Sequence, residues 1–177
     1  ILGGEKINVK HVNEFYKMFP NIKCVNLYGP TEASIGCVYK IVNEKKNDKI
    51  PIGKPISNAK IIILDKYMNM VPIGCAGEIY IGGLCLASGY YKKNKQTEKA
   101  FIKNPYKKIE SDKIYKTGDM ARWLKNGDIE FLGRVDEQIK IRGFRIEVSE
   151  VEQALIAHKD IRYAKVMSQD NKKNNIF

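Results

Sequence analysis

Asn26-Leu27-Tyr28-Gly29-Pro30-Thr31-Glu32 closes the apolar run that begins at Ile22, and the way that run ends decides how the chain is read. A strand that runs into Gly-Pro must turn, because glycine has no Cβ to obstruct a close backbone approach and the proline ring fixes φ. The turn delivers a hydroxyl, Thr31, and a carboxylate, Glu32, side by side. Thr31 can donate to a phosphate oxygen, and Glu32 can hold a magnesium ion, which prefers oxygen ligands. The same segment also fits a plain turn into a helix with an acidic first residue, a common composition.

Upstream, Val9, Val12, Phe15, Tyr16 and Phe19 recur at helical spacing, with Asn8 as N-cap and Pro20 as the stop. Strand, helix and strand within about 28 residues make a βαβ piece, the edge of a larger α/β sheet with a right-handed crossover. Downstream, from Ile35 to Gly133, the pattern changes to short apolar or alternating runs between Gly and Pro turns: Ile35 to Val42, Lys60 to Asp65, Glu78 to Ile81. That reads as a small barrel or sandwich. It carries one short helix at Lys95 to Phe101, with Asn94 available as a cap, and a tight hairpin at Asn126-Gly127. Beyond Asp136 the pattern predicts a second hairpin, Ile139 to Ile141 against Phe144 to Val148, turning at Gly143. A helix follows with Ser149 and Glu152 as its capping box, lined by Val151, Ala154, Leu155 and His158, then a strand from Ile161 to Met167. Internal repeats are absent, and both chain ends read as cuts.

Composition narrows the function. The hydrophobic fraction of 44% and charged fraction of 29% are those of a globular chain. The longest strongly apolar run, Ile61 to Leu64, falls far short of the roughly 20 residues a membrane helix needs, and no leader pattern opens the sequence. Cys24, Cys37, Cys75 and Cys85 contain no Cys-x-x-Cys pair, so they read as reduced cytosolic thiols, and His11 and His158 complete no metal cluster. The net charge of +11 invites a nucleic-acid reading, but only five of the 31 basic residues are arginines and the charge is spread along the chain. It is neither gathered on one helix nor interleaved with aromatic stacking positions, so nucleic acid is not expected as a partner.

Two further constellations bear on chemistry. In Tyr115-Lys116-Thr117-Gly118-Asp119 a carboxylate follows a glycine shortly before the hairpin. Its acceptor-only oxygens suit a vicinal diol, although an aspartate after Thr-Gly is often only a turn residue. Phe131 to Gly143 carries Arg134, Lys140 and Arg142 with Asp136 at the joint between the two regions. These cations suit phosphate or ribose oxygens, and equally the solvated face of a charged hairpin.

Taken together, in this order and at these separations, the three constellations resemble the adenylate-forming superfamily of acyl-CoA synthetases, luciferases and peptide-synthetase adenylation domains. The resemblance extends to Gly77-Glu78-Ile79-Tyr80-Ile81-Gly82-Gly83, to Leu86-Ala87-Ser88-Gly89-Tyr90, and to Arg142-Gly143-Phe144-Arg145-Ile146-Glu147 leading into Glu150-Val151-Glu152. Gly29-Pro30-Thr31-Glu32 and Gln138-Ile139-Lys140-Ile141-Arg142-Gly143 look like the versions found in amino-acid-activating domains of nonribosomal peptide synthetases.

The resemblance implies a mixed α/β and β fold: the end of a βαβ sheet subdomain, a distorted β-barrel subdomain, and the start of a small α+β C-terminal domain. Residues 1–135 would be the C-terminal part of the large adenylation domain, and 136–177 the beginning of the small mobile one. It further implies that Tyr28 packs on adenine, Asn26 contacts the edge of the base and Phe131 covers its other side. Asp119 would bind the ribose hydroxyls, Thr31 and Glu32 would serve the phosphates and Mg2+, Arg134 and Lys140 would touch ribose or phosphate, and Asp136 would be the hinge. Ile1, Gly3, Leu27, Ile35 and Gly36 would line the side-chain pocket, their apolar or small character pointing to a hydrophobic amino acid. The implied reaction joins an amino acid to ATP and passes it to the phosphopantetheine thiol of a carrier protein, in the cytoplasm.

The family's Ala-Arg-Gly-Tyr run stands here as Ala87-Ser88-Gly89-Tyr90, and Cys85 occupies a position where a glycine is expected. No Gly/Ser/Thr-rich phosphate loop, upstream aspartate for the substrate amino group, or later lysine is found, so the chain by itself is expected to be inactive. A stand-alone ligase of the D-alanine type and a degenerate, non-catalytic module are the alternatives.

Overall fold

The computed structural model describes residues 1–5, 7–43, 49–107, 109–136, 138–141, 144–169 and 175–176. The chain divides into two compact units, Ile1–Val135 and Asp136–Phe177.

The first unit opens with β1 (Leu2–Gly3), α1 (Val9–Met18) and β2 (Cys24–Tyr28). The two strands are parallel, Leu2 facing Asn26 and Gly3 facing Leu27, so the expected βαβ element is present. Asn8 caps α1, its side chain accepting from the Lys10 N–H at 2.9 Å. The apolar stripe of α1 buries Val12 with Phe15 and Tyr16 against Cys24 and Val42, and the helix closes at Phe19, before Pro20. Next to β2 run β3 (Val38–Val42) and β4 (Lys54–Pro55), both antiparallel to their neighbours, completing a four-stranded sheet in the order β1-β2-β3-β4.

The second sheet of this unit comprises β5 (Ala59–Leu64), β6 (Gly77–Gly83), β7 (Phe101–Lys103), β8 (Lys113–Trp123) and β9 (Ile129–Arg134). It is antiparallel and curled. β8 takes β6 on one edge and shares its other edge between β7 at its start and β9 at its end. Alternation along these strands separates two apolar clusters. Ile63, Ile79, Ile81, Tyr115, Ala121 and Ile129 join Val38 and Cys37 in one; Ile62, Leu64, Tyr80 and Ile114 form the other. Each fully buried Ile or Leu contributes on the order of 1.5–3 kcal/mol. The backbone of Ile52 and Gly53, entering β4, bonds to Ile129 of β9 and so ties the two sheets together.

The second unit begins with the antiparallel pair β10 (Ile139–Ile141) and β11 (Phe144–Ile146), followed by α3 (Val148–Ile156) and the short ladder of β12 (Ser168–Gln169) with β13 (Asn175–Ile176).

Five local expectations change. The strand expected from Ile35 starts at Val38, because Ser34 and Ile35 adopt left-handed backbone (φ 56° and 67°) and make a turn. The helix that precedes β7, α2 (Asn94–Ala100), has Asn94 as its first residue and Lys93 as its cap, with no side-chain cap bond. In α3 the cap is Glu147, one residue before Val148, so Ser149 lies inside the helix and no capping box forms; the Glu152 carboxylate instead accepts from the Val166 N–H at 2.9 Å and pairs with Lys165 at 3.2 Å. That use of the Val166 N–H accompanies the fourth change, for residues 161–167 are not a strand and pairing begins at Ser168. The helix ends at Ile156, leaving His158 beyond it. The turn expected at Gly143 lies outside the described residues.

Candidate functional site

The site grows from the end of β2. After Tyr28 the chain reverses so tightly that Cys37 N–H returns to the Tyr28 carbonyl at 2.9 Å. A Cβ on Gly29 would sit 2.6 Å from the Ile35 carbonyl oxygen, so this position requires glycine. Between these points Thr31–Ala33 forms a single 3₁₀ turn in which Glu32 is buried and Thr31 exposed.

The second part is made by β8 and two irregularities in its pairing. Opposite Ile79 of β6, the register passes from Tyr80↔Lys116 to Glu78↔Met120, so Thr117, Gly118 and Asp119 together face one residue. The bulge is bonded throughout: Thr117 Oγ1 donates to the Ile79 carbonyl (2.8 Å) and accepts from the Asp119 N–H (2.9 Å), while the Gly118 N–H donates to Glu78 Oε1 (2.9 Å). Gly118 has φ +74°. On the other edge, Ala121 faces Phe131 but Met120 faces Gly133, so Leu132 is an extra residue in β9. Residues three apart on a regular strand point to opposite faces. The extra residue cancels that difference, and Phe131 and Arg134 both come to the Asp119 side.

The result is a cluster around one buried carboxylate. Tyr28 donates its hydroxyl to Asp119 Oδ2 at 2.5 Å, and Arg134 Nη1 lies 2.6 Å from Asp119 Oδ1. The Tyr28 and Phe131 rings lie 6.3 Å apart at 42°. Burial first, and then the Asp119 charge, hold the Tyr28 phenol well above its ordinary pKa, so the proton stays on tyrosine and the aspartate is the acceptor. Two aromatic rings, a guanidinium and a carboxylate on one patch offer apolar faces to a planar group and charged hydrogen-bonding groups to hydroxyls.

The expected residues therefore divide. Tyr28, Asp119, Phe131 and Arg134 come together. Asn26 is buried nearby in β2 and gives its side-chain N–H to the Pro51 carbonyl at 3.3 Å. Gly3, Leu27 and Gly36 also meet: a Cβ on Gly3 would lie 2.6 Å from the Leu27 carbonyl oxygen, and one on Gly36 would lie 2.7 Å from a Leu27 methyl. Ile1 and Ile35 expose their side chains. Asp136 and Lys140 belong to the second unit, where Asp136 accepts from the Gln138 N–H and Lys140 faces Arg145 across the hairpin.

Reasoning from the residues passed over three partners: Thr117 and Glu78, which build the bulge, and Tyr90, whose hydroxyl donates to Glu32 Oε1 at 2.5 Å. The Thr-Gly pair ahead of Asp119 was the available signal for the first; nothing in the spacing of Glu32 and Tyr90 announces their contact.

Comparison with known proteins places these features among relatives. The family model described as AMP-binding enzyme matches residues 1–91. The chain is 41% identical over 167 residues to gramicidin S synthase 2 of Brevibacillus brevis, covering 94% of this chain and 4% of that protein. It is 42% identical over 177 residues to tyrocidine synthase 2 of Brevibacillus parabrevis, covering 100% of this chain and 5% of that protein. The chain thus spans only about a twentieth of the length of these curated relatives. A solved structure of an NRPS protein containing adenylation and PCP domains aligns with TM-score 0.85 at 31% identity, over 96% of this chain and 34% of that one.

Proposed function

The chain belongs to the AMP-binding enzyme family, and from that premise we propose that it is part of an amino-acid adenylation domain of nonribosomal peptide synthesis. Residues 1–135 would end the large domain, including its distorted barrel, and residues 136–177 would begin the small mobile one. The observation that carries the reading is the Asp119 cluster, with Tyr28, Arg134 and Phe131 gathered around one buried carboxylate.

In this reading an amino-acid carboxylate oxygen attacks the α-phosphorus of ATP, the bond to the β-phosphate oxygen breaks, and pyrophosphate leaves with the electron pair. The phosphopantetheine thiol of a carrier protein then attacks the aminoacyl carbonyl, forming the thioester as the bond to the phosphate oxygen breaks and AMP leaves. Tyr28 and Phe131 take the adenine between them and Asn26 its edge. Asp119 holds the ribose hydroxyls, oriented by the Tyr28 hydroxyl and the Arg134 guanidinium. Thr31 reaches a phosphate oxygen, Lys140 adds positive charge, and Asp136 is the hinge by which the small domain changes position between half-reactions. Leu27, Gly3 and Gly36, with Ile1 and Ile35, line a pocket for a hydrophobic side chain.

The residues present fit Mg2+ of a particular kind. Among the described residues no group of three or more His, Cys, Asp or Glu could hold a metal ion. A single buried carboxylate, Glu32, suits an ion that takes its remaining ligands from nucleotide phosphates and water. Bound there, Mg2+ supplies charge neutralisation for the departing pyrophosphate.

The 177 residues contain neither a Gly/Ser/Thr-rich phosphate loop nor the partner for the substrate amino group, so turnover requires the complete domain. No helix among the described residues is long and apolar enough to cross a membrane. The test is amino-acid-dependent exchange of labelled pyrophosphate into ATP by the complete domain, with Asp119→Ala as control. Exchange with one amino acid, lost in the control, is expected; a folded protein that exchanges with none overturns the proposal.

A further inference from the structure

The loop that departs from the family pattern holds the 3₁₀ turn that carries Glu32. Three bonds join them: Ser34 Oγ donates to the Cys85 carbonyl (2.9 Å), the Ala87 N–H to the Glu32 carbonyl (2.8 Å), and the Tyr90 hydroxyl to Glu32 Oε1 (2.5 Å). The first two fix the backbone of the turn. The third acts on the carboxylate.

Tyr90 is itself held from several sides. Its ring meets Phe101 edge-on, with centroids 5.8 Å apart at 70°. Its N–H donates to Thr97 Oγ1 at 2.9 Å, and Thr97 lies in the first turn of α2, where the same oxygen donates back to the carbonyl of the cap residue Lys93 at 3.1 Å. The preceding Gly89 has φ +146°, and a Cβ there would lie 2.3 Å from the Thr97 methyl, so the close fit of loop and helix excludes other residues. The hydroxyl is therefore delivered to Glu32 by a ring and a backbone whose places are already fixed.

A glutamate carboxylate has rotamer freedom that a metal must remove on binding. A hydroxyl bonded to one oxygen restricts that freedom beforehand. On the reading of Glu32 as the Mg2+ ligand, we infer that Tyr90 is a positioning residue: it orients the Glu32 carboxylate for the metal–nucleotide complex, and loop 85–90 serves as the clasp that holds this arrangement. The departures at Cys85 and Ser88 leave it intact, since Cys85 contributes its carbonyl and the bond to Tyr90 does not involve Ser88.

The test uses the complete adenylation domain. Tyr90→Phe keeps the ring on Phe101 and removes only the hydroxyl. The Mg2+ concentration for half-maximal pyrophosphate exchange should rise about tenfold, while the KM for the amino acid moves less than about twofold. Mn2+ binding in the presence of ATP, read by electron paramagnetic resonance without turnover, should weaken by a similar factor. In a Glu32→Gln background Tyr90→Phe should change Mn2+ binding no further, because its route is gone; a purely structural tyrosine would add its effect in both backgrounds. If Tyr90→Phe does not fold, Thr97→Val, which deletes the acceptor for the Tyr90 N–H, is read by the same two assays and should shift them the same way. Normal Mg2+ and Mn2+ dependence in an actively exchanging variant overturns this inference alone. Absence of exchange in the folded wild type removes the functional reading, and the inference with it.

Discussion

Tyr28 and Asp119, 91 residues apart in sequence, are joined by a 2.5 Å hydrogen bond in which the tyrosine donates. The bond crosses between the two sheets of the first unit, from the end of β2 to the bulge of β8. It fixes the aromatic ring and the carboxylate of the candidate nucleotide site relative to one another before any ligand arrives.

Tyr28→Phe leaves the ring and takes away the donor. Asp119 keeps Arg134, so its charge remains compensated, and the loss is that of one charge-assisted bond, about 1.5–3 kcal/mol. Urea unfolding of Tyr28→Phe, Asp119→Asn and the double variant measures it. A coupling energy above about 0.5 kcal/mol is expected; additivity within that margin means that the bond contributes nothing.

Thr117→Val tests how the carboxylate is presented. The substitution is nearly isosteric but removes the oxygen that accepts from the Asp119 N–H and donates to Ile79. Thr117 is 3% exposed, so water cannot replace it without rearrangement. The expected cost is about 1–3 kcal/mol, together with weaker nucleotide binding in the complete domain, because the bulge that carries Asp119 loses its internal support. A variant as stable as wild type with unchanged ATP affinity contradicts this account of the bulge.

How far the sequence carries the structure depends on the kind of signal. Helical spacing from Val9 to Phe19, the Asn8 cap and Pro20 specify α1, since each is a local chemical preference. The alternating runs give β5 to within one residue at each end and the centre of β6, which extends beyond the expected run to Gly77–Gly83. The hairpin at Asn126-Gly127 is also legible, but Gly127 alone takes positive φ (79°) and the Leu124 N–H bonds to the Asp128 carbonyl, which makes a longer turn than the dipeptide suggests. What spacing does not reveal is the effect of an extra residue. Phe131 and Arg134 read as opposite faces of a strand until pairing shows Leu132 to be surplus, and only the resemblance to a known family assigned both to one site. Ser149 and Glu152 matched a capping box, yet Glu152 found its partners in Val166 and Lys165, which no local pattern could foretell.

Lys40 and Asp128 form an ion pair outside the candidate site, at 2.6 Å, with Asp128 almost wholly enclosed and its Oδ1 lacking a hydrogen-bond partner. Lys40→Met leaves that buried carboxylate without its cation, its remaining side-chain bond coming from Asn126. Removal of one member of such a pair costs about 3 kcal/mol or more. Adding Asp128→Asn to Lys40→Met removes the stranded charge and should recover a large part of the loss. Thermal or chemical unfolding of the three variants checks this, and a double variant no more stable than Lys40→Met refutes it.

The cysteines provide a probe of the same core. Cys37 is buried, its thiol bonded to the Tyr28 carbonyl at 3.6 Å, and burial pushes its pKa up to about 12. A raised thiol pKa means that the protonated form persists at every lower pH, so at pH 8 only about one molecule in ten thousand carries the reactive thiolate. Cys24 is buried as well, whereas Cys75 is exposed. Thiol titration of the folded protein at pH 8 should therefore show fast modification of Cys75, absent in Cys75→Ser, with Cys24 and Cys37 modified only on unfolding. Below its pKa, any reaction of Cys37 through the native state should quicken about tenfold per pH unit, because only the thiolate attacks. Rapid labelling of Cys37 at pH 8, located by mass spectrometry, would mean that the turn joining Tyr28 to Cys37 opens in the native state and that the Asp119 cluster is not held in place before ligand arrives.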